Sequence, residues 1–403
     1  MNFLSQFKKL LVRGINTLSG RASAFRQRRK PVFPLADRLL ADALRLAEIP
    51  SPSPMEGERA AFVLERLRLL GTAPWSDEGG NVFVRLHSAS LHSEPLLLFT
   101  DLGSKRWHPL ESLSRLDAVY ARGAGLADVL GAAALLSVAE EICLGRLQSG
   151  RDILLLFAAR SFDDPESNVF LPITESPPDR PFSAVGIRGF LLGSLITHIQ
   201  GTYRMEITIS SIRGEKEPEE EEPPKKLPDP SNMVVDTLIA TARRLSEIRD
   251  TDEEIRVYIR RVEAGAGFGR TPSEGILEIE LESSDGTRLD MAMNRVKAIA
   301  EVQNPELRVS VNITSFIPAG DPSVSAELSR KVQGIMRGLH IKVREENGSD
   351  PSSFLANHGI PAVSLGIARG REGLSRDTIE ISSIEKGRLL LEALITHITR
   401  EEP

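Results

Sequence analysis

Residues 96–107 read LLLFTDLGSKRW. The opening apolar run is continuous rather than alternating, which suits a strand covered on both faces, as in a parallel sheet. Thr100, Asp101, Gly103 and Ser104 then form a loop at its carboxyl end. In an open α/β sheet that end carries the binding and catalytic groups. A loop built for metal chemistry would set His beside Asp here, yet Asp101 has no histidine near it. Either this is a site with other chemistry or it is the remainder of one, and the flanking segments bear on the choice.

Working outward, residues 35–49 are helical by period. Ser53-Pro54-Met55-Glu56 reads as a capping box with Pro at the first helical position, so a second helix is predicted from there to Gly71. Strands are predicted at 81–86, 96–100 and 152–158, with a helix over 128–147 between the last two. Strands alternating with helices predict a mostly parallel sheet in a three-layer α/β core. A different style begins near Thr202: strand, helix, two strands, helix and strand, ending near Thr314. That order predicts an inserted two-layer α+β domain over 201–317. The core is then discontinuous, 34–200 and 318–403, closed by a strand at 359–366 and a helix at 384–398. Residues 214–231 are acidic and proline-rich, the composition of an extended linker.

Charge and cysteine usage narrow the classes. A net charge of −6 gives no reason to expect a nucleic-acid partner. The single cysteine, Cys143, excludes an intrachain disulfide and fits a reducing, cytoplasmic setting. Residues 1–30 hold eight Lys/Arg and no acid, so the rest of the chain carries −14. Phe3, Leu4, Phe7, Leu10, Leu11, Ile15 and Leu18 recur there at helical spacing. Residues 1–33 therefore read as a basic amphipathic tail that can lie on an anionic membrane surface, with a solvated tail as the other reading.

Six segments occur in one order: IPSPSPMEGE, SDEGGNVFVRL (76–86), RGAGLADVLGAAALL (122–136), the segment from 184 into TYRMEITIS, GRTPSEGILEIELES (269–283) and the closing stretch 348–387. Together they resemble the di-zinc peptidase and deacylase family of tripeptidase T, acetylornithine deacetylase and carboxypeptidase G, peptidase family M20. The resemblance spans about residues 35–398. It implies a zinc-exopeptidase-like core with an inserted lid, and a homodimer through that lid. It also implies two zinc ions held by His and carboxylate ligands, with a glutamate base.

Carried onto this sequence, most of those positions are empty of the required residues. The His-x-Asp position falls on Asp101-Leu102-Gly103, or on Phe99-Thr100-Asp101 with a two-residue shift, without a histidine either way. The bridging Asp matches Asp128, whose plainer reading is a helix N-cap. The Glu-Glu pair falls on Ser161-Phe162, with Asp163 and Asp164 just beyond. The next carboxylate ligand falls on Arg188, a cation that would repel a metal ion. The late histidine motif falls on Leu374-Ser375, and the acidic segment replaces the lid histidine. Of the seven histidines only His108 is retained as a candidate, against a plain surface-loop reading.

The expectation is a catalytically degenerate homologue with no catalytic residues and no cofactor. Its cleft would bind a peptide or acyl-amino acid through Arg188 and Asp128. The rival expectation is an active amidohydrolase whose Asp101, Asp128 and Asp163 or Asp164 hold one divalent cation, magnesium or manganese suiting oxygen ligands better than zinc. A third is a membrane-surface adaptor acting through residues 1–30.

Overall fold

The computed structural model describes residues 35–52, 55–88, 94–104, 114–159, 169–175, 180–212, 233–265, 267, 271–301, 304, 306–373 and 375–400. The basic tail, the acidic linker, His108, Ser161, Phe162, Asp163, Asp164 and Leu374 lie outside the described residues.

In chain order the elements begin with helices α1 (Leu35–Ala47) and α2 (Gly57–Leu69). Strands β1 (Trp75–Ser76), β2 (Val82–Leu86), β3 (Leu96–Asp101), β4 (Arg115–Leu116) and β5 (Tyr120–Gly123) follow, then helix α3 (Leu126–Cys143). Next come β6 (Ile153–Ala158), the short α4 (Leu171–Thr174), β7 (Ser183–Leu192) and β8 (Ser194–Ile199). The inserted part is β9 (Gly201–Ser211), α5 (Met233–Thr251), β10 (Arg256–Ala264), β11 (Glu274–Ser283), α6 (Gly286–Ala300) and β12 (Leu307–Ile317). The chain closes with α7 (Ala326–Gly338), β13 (Arg344–Gly348), α8 (Ser352–Asn357), β14 (Ala362–Gly366), β15 (Gly370–Arg371), β16 (Asp377–Glu380) and α9 (Ile381–Ile398).

Eight strands make the central sheet, in the order β1-β2-β6-β3-β7-β14-β8-β13. Its middle, β6-β3-β7-β14, is parallel, as the apolar runs predict. β3 and β6 are buried on both faces because helices cover both. Leu97, Phe99, Leu154 and Leu156 pack one way, with Ile173 of α4 and Leu355 of α8. α3 lies against β3 and β7 on the other face, under α1, α2 and α9. α3 is thus buried almost all round, which explains why its sequence shows no polar stripe.

The inserted domain is a separate antiparallel sheet, β10-β11-β9-β12, with β9 at its centre. Strict alternation in β9 turns Tyr203, Met205, Ile207 and Ile209 onto α5 and α6, where Leu238, Leu245, Leu289 and Val296 meet them. Tyr203 keeps its hydroxyl satisfied by donating to Asp290 Oδ1 at 2.9 Å. A third small sheet, β15-β16-β5-β4, ties the closing segment to the loop before α3.

Two helix starts differ from the sequence expectation. α2 begins at Gly57, after Glu56 as N-cap with no side-chain cap bond, while Ser53 and Pro54 of the expected capping box lie outside the described residues. The Glu56 carboxylate is instead buried, where it interacts electrostatically with the Arg59 guanidinium. α3 begins at Leu126, because Gly125 takes φ +64° and turns the chain into the helix two residues early. Asp128 is therefore not the N-cap. The capping carboxylate comes from 250 residues away: Asp377 Oδ2 accepts from the Ala127 N–H at 3.0 Å, and Oδ1 from the Gly373 N–H at 3.2 Å.

The amino ends of β6 and the loop after β2 are held by Asp152. It accepts from Arg85 Nε (2.8 Å) and the Ser88 N–H (2.8 Å), with His87 Nδ1 at 3.0 Å. Burial would raise this carboxyl's pKa, but the Ser88 N–H, Arg85 and His87 outweigh it and hold it below the ordinary carboxylate range. A depressed folded pKa means stability that is present above the unfolded value of about 4 and lost as pH falls through the folded one. Acid unfolding followed by circular dichroism is expected to show that loss in the native chain and a weaker one in Asp152→Asn.

Candidate functional site

Backbone pairing between β3 and β7 stops at Phe99 and Gly186. Beyond that point the two parallel strands part, and the Thr100 hydroxyl spans them by donating to Ile187 O at 2.9 Å. The parting opens a cleft of about 550 Å³, including solvent at its mouth, at the carboxyl ends of the strands. Thr100, Asp101 and Gly103 line it from β3 and its loop, and Asp128 from the first turn of α3. Arg188 and its neighbours line it from β7, and Glu372 from the closing segment.

Close backbone packing makes this convergence possible. A Cβ on Gly189 would stand 2.1 Å from Ala127 O, and one on Gly131 would stand 2.2 Å from Thr100 Oγ1. Only glycine lets α3 sit this deep against β3 and β7, which is what brings Asp128 into the cleft beside Arg188.

Three carboxylates and one guanidinium thus share the lining. Arg188 is half-buried and makes no side-chain hydrogen bond or ion pair among the described residues. Asp101, Asp128 and Glu372 each have partners of their own. A second guanidinium lies beneath. Arg59, 2% exposed, donates from Nη1 to Leu102 O at 2.7 Å and from Nε to Leu46 O and Ile49 O, both at 3.1 Å. Burial pushes its pKa down to about 10, while Asp128 and Glu56 pull upward, so it remains a cation at neutral pH. It anchors the loop after Asp101 and balances the charge of Asp128.

The residues named from the sequence are therefore placed as follows. Asp101, Asp128 and Arg188 line one cleft. His358 is on the surface, its Nδ1 donating to Phe354 O (2.7 Å), and His397 lies on α9. Arg59 and Glu372 were missed. Arg59 shares a helix face with Val63 and Leu67 at four-residue spacing, which marks it as inward-facing. Glu372 sits in an irregular segment with no such signal.

A two-metal centre needs several clustered His, Asp, Glu or Cys donors. Among the described residues no three of these are placed together to hold a metal ion. Among the described residues no histidine lines the cleft, and a guanidinium occupies its wall. The described residues do not fit the metal pair that the resemblance implies.

No family model matches the sequence. Solved structures do match its fold. Human carnosine dipeptidase 1 is 10% identical, over 90% of this chain and 97% of that one, with a TM-score of 0.66. A tripeptidase from Staphylococcus aureus is 17% identical over 91% and 99%, with a TM-score of 0.63. The Bacillus subtilis YXEP protein, a dinuclear metal binding peptidase of the M20 family, is 14% identical over 91% and 98%, with a TM-score of 0.56. The fold of this chain is thus that of the M20 peptidases, a mostly parallel core sheet with a separate antiparallel lid. At these identities the likeness extends to the fold alone.

Proposed function

We propose that this chain is a binding protein on the M20 peptidase fold, its hydrolytic centre given up. Its ligand is a small peptide or acyl-amino acid. The observation that carries the reading is Arg188. A guanidinium with no partner among the described residues, set in a cleft wall, is a ready receptor for a ligand carboxylate. Asp101, Asp128 and Glu372 give the same cleft a negative field suited to a ligand ammonium. A homodimer through the lid and a peripheral membrane contact through residues 1–30 belong to the same proposal. No helix among the described residues is long and apolar enough to cross a membrane.

One observation favours the rival reading. Asp101 and Asp128 do share a cleft, as a carboxylate-held cation would require. Against it stands the like charge of Arg188 facing any such ion.

Calorimetric titration with a panel of dipeptides and N-acetyl amino acids tests the proposal. Saturable binding without hydrolysis is expected, weakened about tenfold or more in Arg188→Gln because a charge-assisted hydrogen bond is lost. Turnover of any panel member after addition of zinc or manganese would favour the enzyme instead.

A further inference from the structure

On the far side of Leu191 lies a second cleft, of about 1000 Å³ including solvent at its mouth. Among the described residues its charged lining is basic: Lys342 just before β13, Arg344 at the start of β13, Arg369 before β15, and Lys386 in α9, with His340 beside them. Arg369 reaches Glu380 at 3.5 Å. Lys342, Arg344 and Lys386 have no ion pair among the described residues, although Lys386 acts at longer range on Glu380. Four cations against one carboxylate leave an excess of about three charges in a concave surface, where field lines concentrate.

The cations are fixed rather than trailing in solvent at their roots. The Arg344 N–H donates to Gly193 O at 2.8 Å, and a Cβ on Gly193 would stand 2.4 Å from Lys342 O. The start of β13 is thus clamped to the turn after β7. Lys342 and Arg344 both line the cleft from this clamped stretch. The Arg369 N–H is held by Ser383 Oγ at 2.8 Å, which ties its segment to α9.

Backbone strain gathers at the same place. Among the described residues two non-glycine positions have positive φ, Leu191 (68°) and His340 (53°), and both line this cleft. His340 closes α7, with the Ile341 N–H on Met336 O (2.9 Å) and its own N–H on Arg337 O (3.0 Å). That explains the conformation but not a histidine where glycine is easiest. Leu191, 43% exposed, lies in the irregular stretch where β7 slips register against β14, between the pairs Ile187–Leu365 and Leu192–Gly366.

We propose that this cleft is a binding site for a small multivalent anion of the phosphoryl class, held by Lys342, Arg344, Arg369 and Lys386. A single carboxylate would use one of these cations, whereas a di- or triphosphoryl group matches three. The site is independent of the ligand assigned to the Arg188 cleft.

The test is calorimetric titration of the full chain with inorganic pyrophosphate, inorganic phosphate and citrate at about 0.15 M salt, where unfocused surface charge is screened. Saturable pyrophosphate binding with Kd of about 1 mM or tighter is expected, phosphate and citrate being weaker by about tenfold. Lys342→Ala with Lys386→Ala should weaken pyrophosphate about tenfold or more without changing Tm. Lys342→Ala alone should give a smaller loss in the same direction, and Arg188→Gln no change. Absence of saturable binding overturns the proposal. So does citrate binding as tightly as pyrophosphate, or a loss in Arg188→Gln equal to that in the lysine variants.

Discussion

Arg59→Met is expected to lower the unfolding free energy by about 3–5 kcal/mol, the cost of breaking a buried charge network by removing one partner. The guanidinium serves three carbonyls and two carboxylates at once. Without it, Ile49 O and Leu102 O lose their donor, and Glu56 stays buried with its Oε1 already lacking a hydrogen bond. Each stranded polar group costs about 1–3 kcal/mol, so the carbonyls alone account for much of the total. Arg59→Lys should recover only part of the loss, because one ammonium cannot reach carbonyls on both sides of the loop. Urea unfolding followed by far-UV circular dichroism gives the difference. A change below about 1 kcal/mol would mean that the loop after Asp101 is held by something else.

Gly189→Ala is the second large effect. The new methyl would meet Ala127 O at 2.1 Å, and backbone cannot swing aside as a side chain can. β7 and α3 must separate, at about 1–3 kcal/mol or more. That separation also pulls Arg188 away from Asp128, so ligand binding in the cleft should fall with stability. Gly334→Ala is the control. It lies exposed within α7 with nothing within 4 Å of the added atom. Helix propensity alone then applies, and the variant should gain about 1 kcal/mol. The opposite signs of two glycine-to-alanine changes separate packing from propensity.

The core sheet was legible because β3, β6 and β14 are nearly unbroken apolar runs, which only strands covered on both faces carry. The lid was legible because β9 and β11 alternate cleanly and α5 and α6 keep the helical period. Helix starts were less so. The Ser-Pro-Met-Glu pattern at 53–56 satisfies a local capping rule in which Glu56 is the third helical residue, whereas Glu56 is the N-cap itself and is buried beside Arg59. Gly125 carries no local mark of a helix start, although its positive φ is what launches α3.

The cleft itself was legible only in part. Asp101, Asp128 and Arg188 come from three separate elements, and nothing local to any of them says that they meet. The order of segments resembling a known family brought them together on paper. Arg59 escaped notice because an arginine in a helix is ordinarily read as solvated. The four-residue spacing to Val63 and Leu67 was the available clue. The basic cleft was invisible, since Lys342, Arg344, Arg369 and Lys386 look like scattered surface charge until the clamp at Gly193 assembles them.

The most direct test of the central claim is the metal content of the full chain, purified without chelator, exposed to zinc, manganese and magnesium, and measured by elemental mass spectrometry. A cleft walled by Arg188 with no clustered donors among the described residues predicts well under one ion per chain, with no change in Asp128→Asn. Stoichiometric metal in the native chain that disappears in Asp128→Asn would contradict the account and return the chain to the hydrolases whose fold it shares.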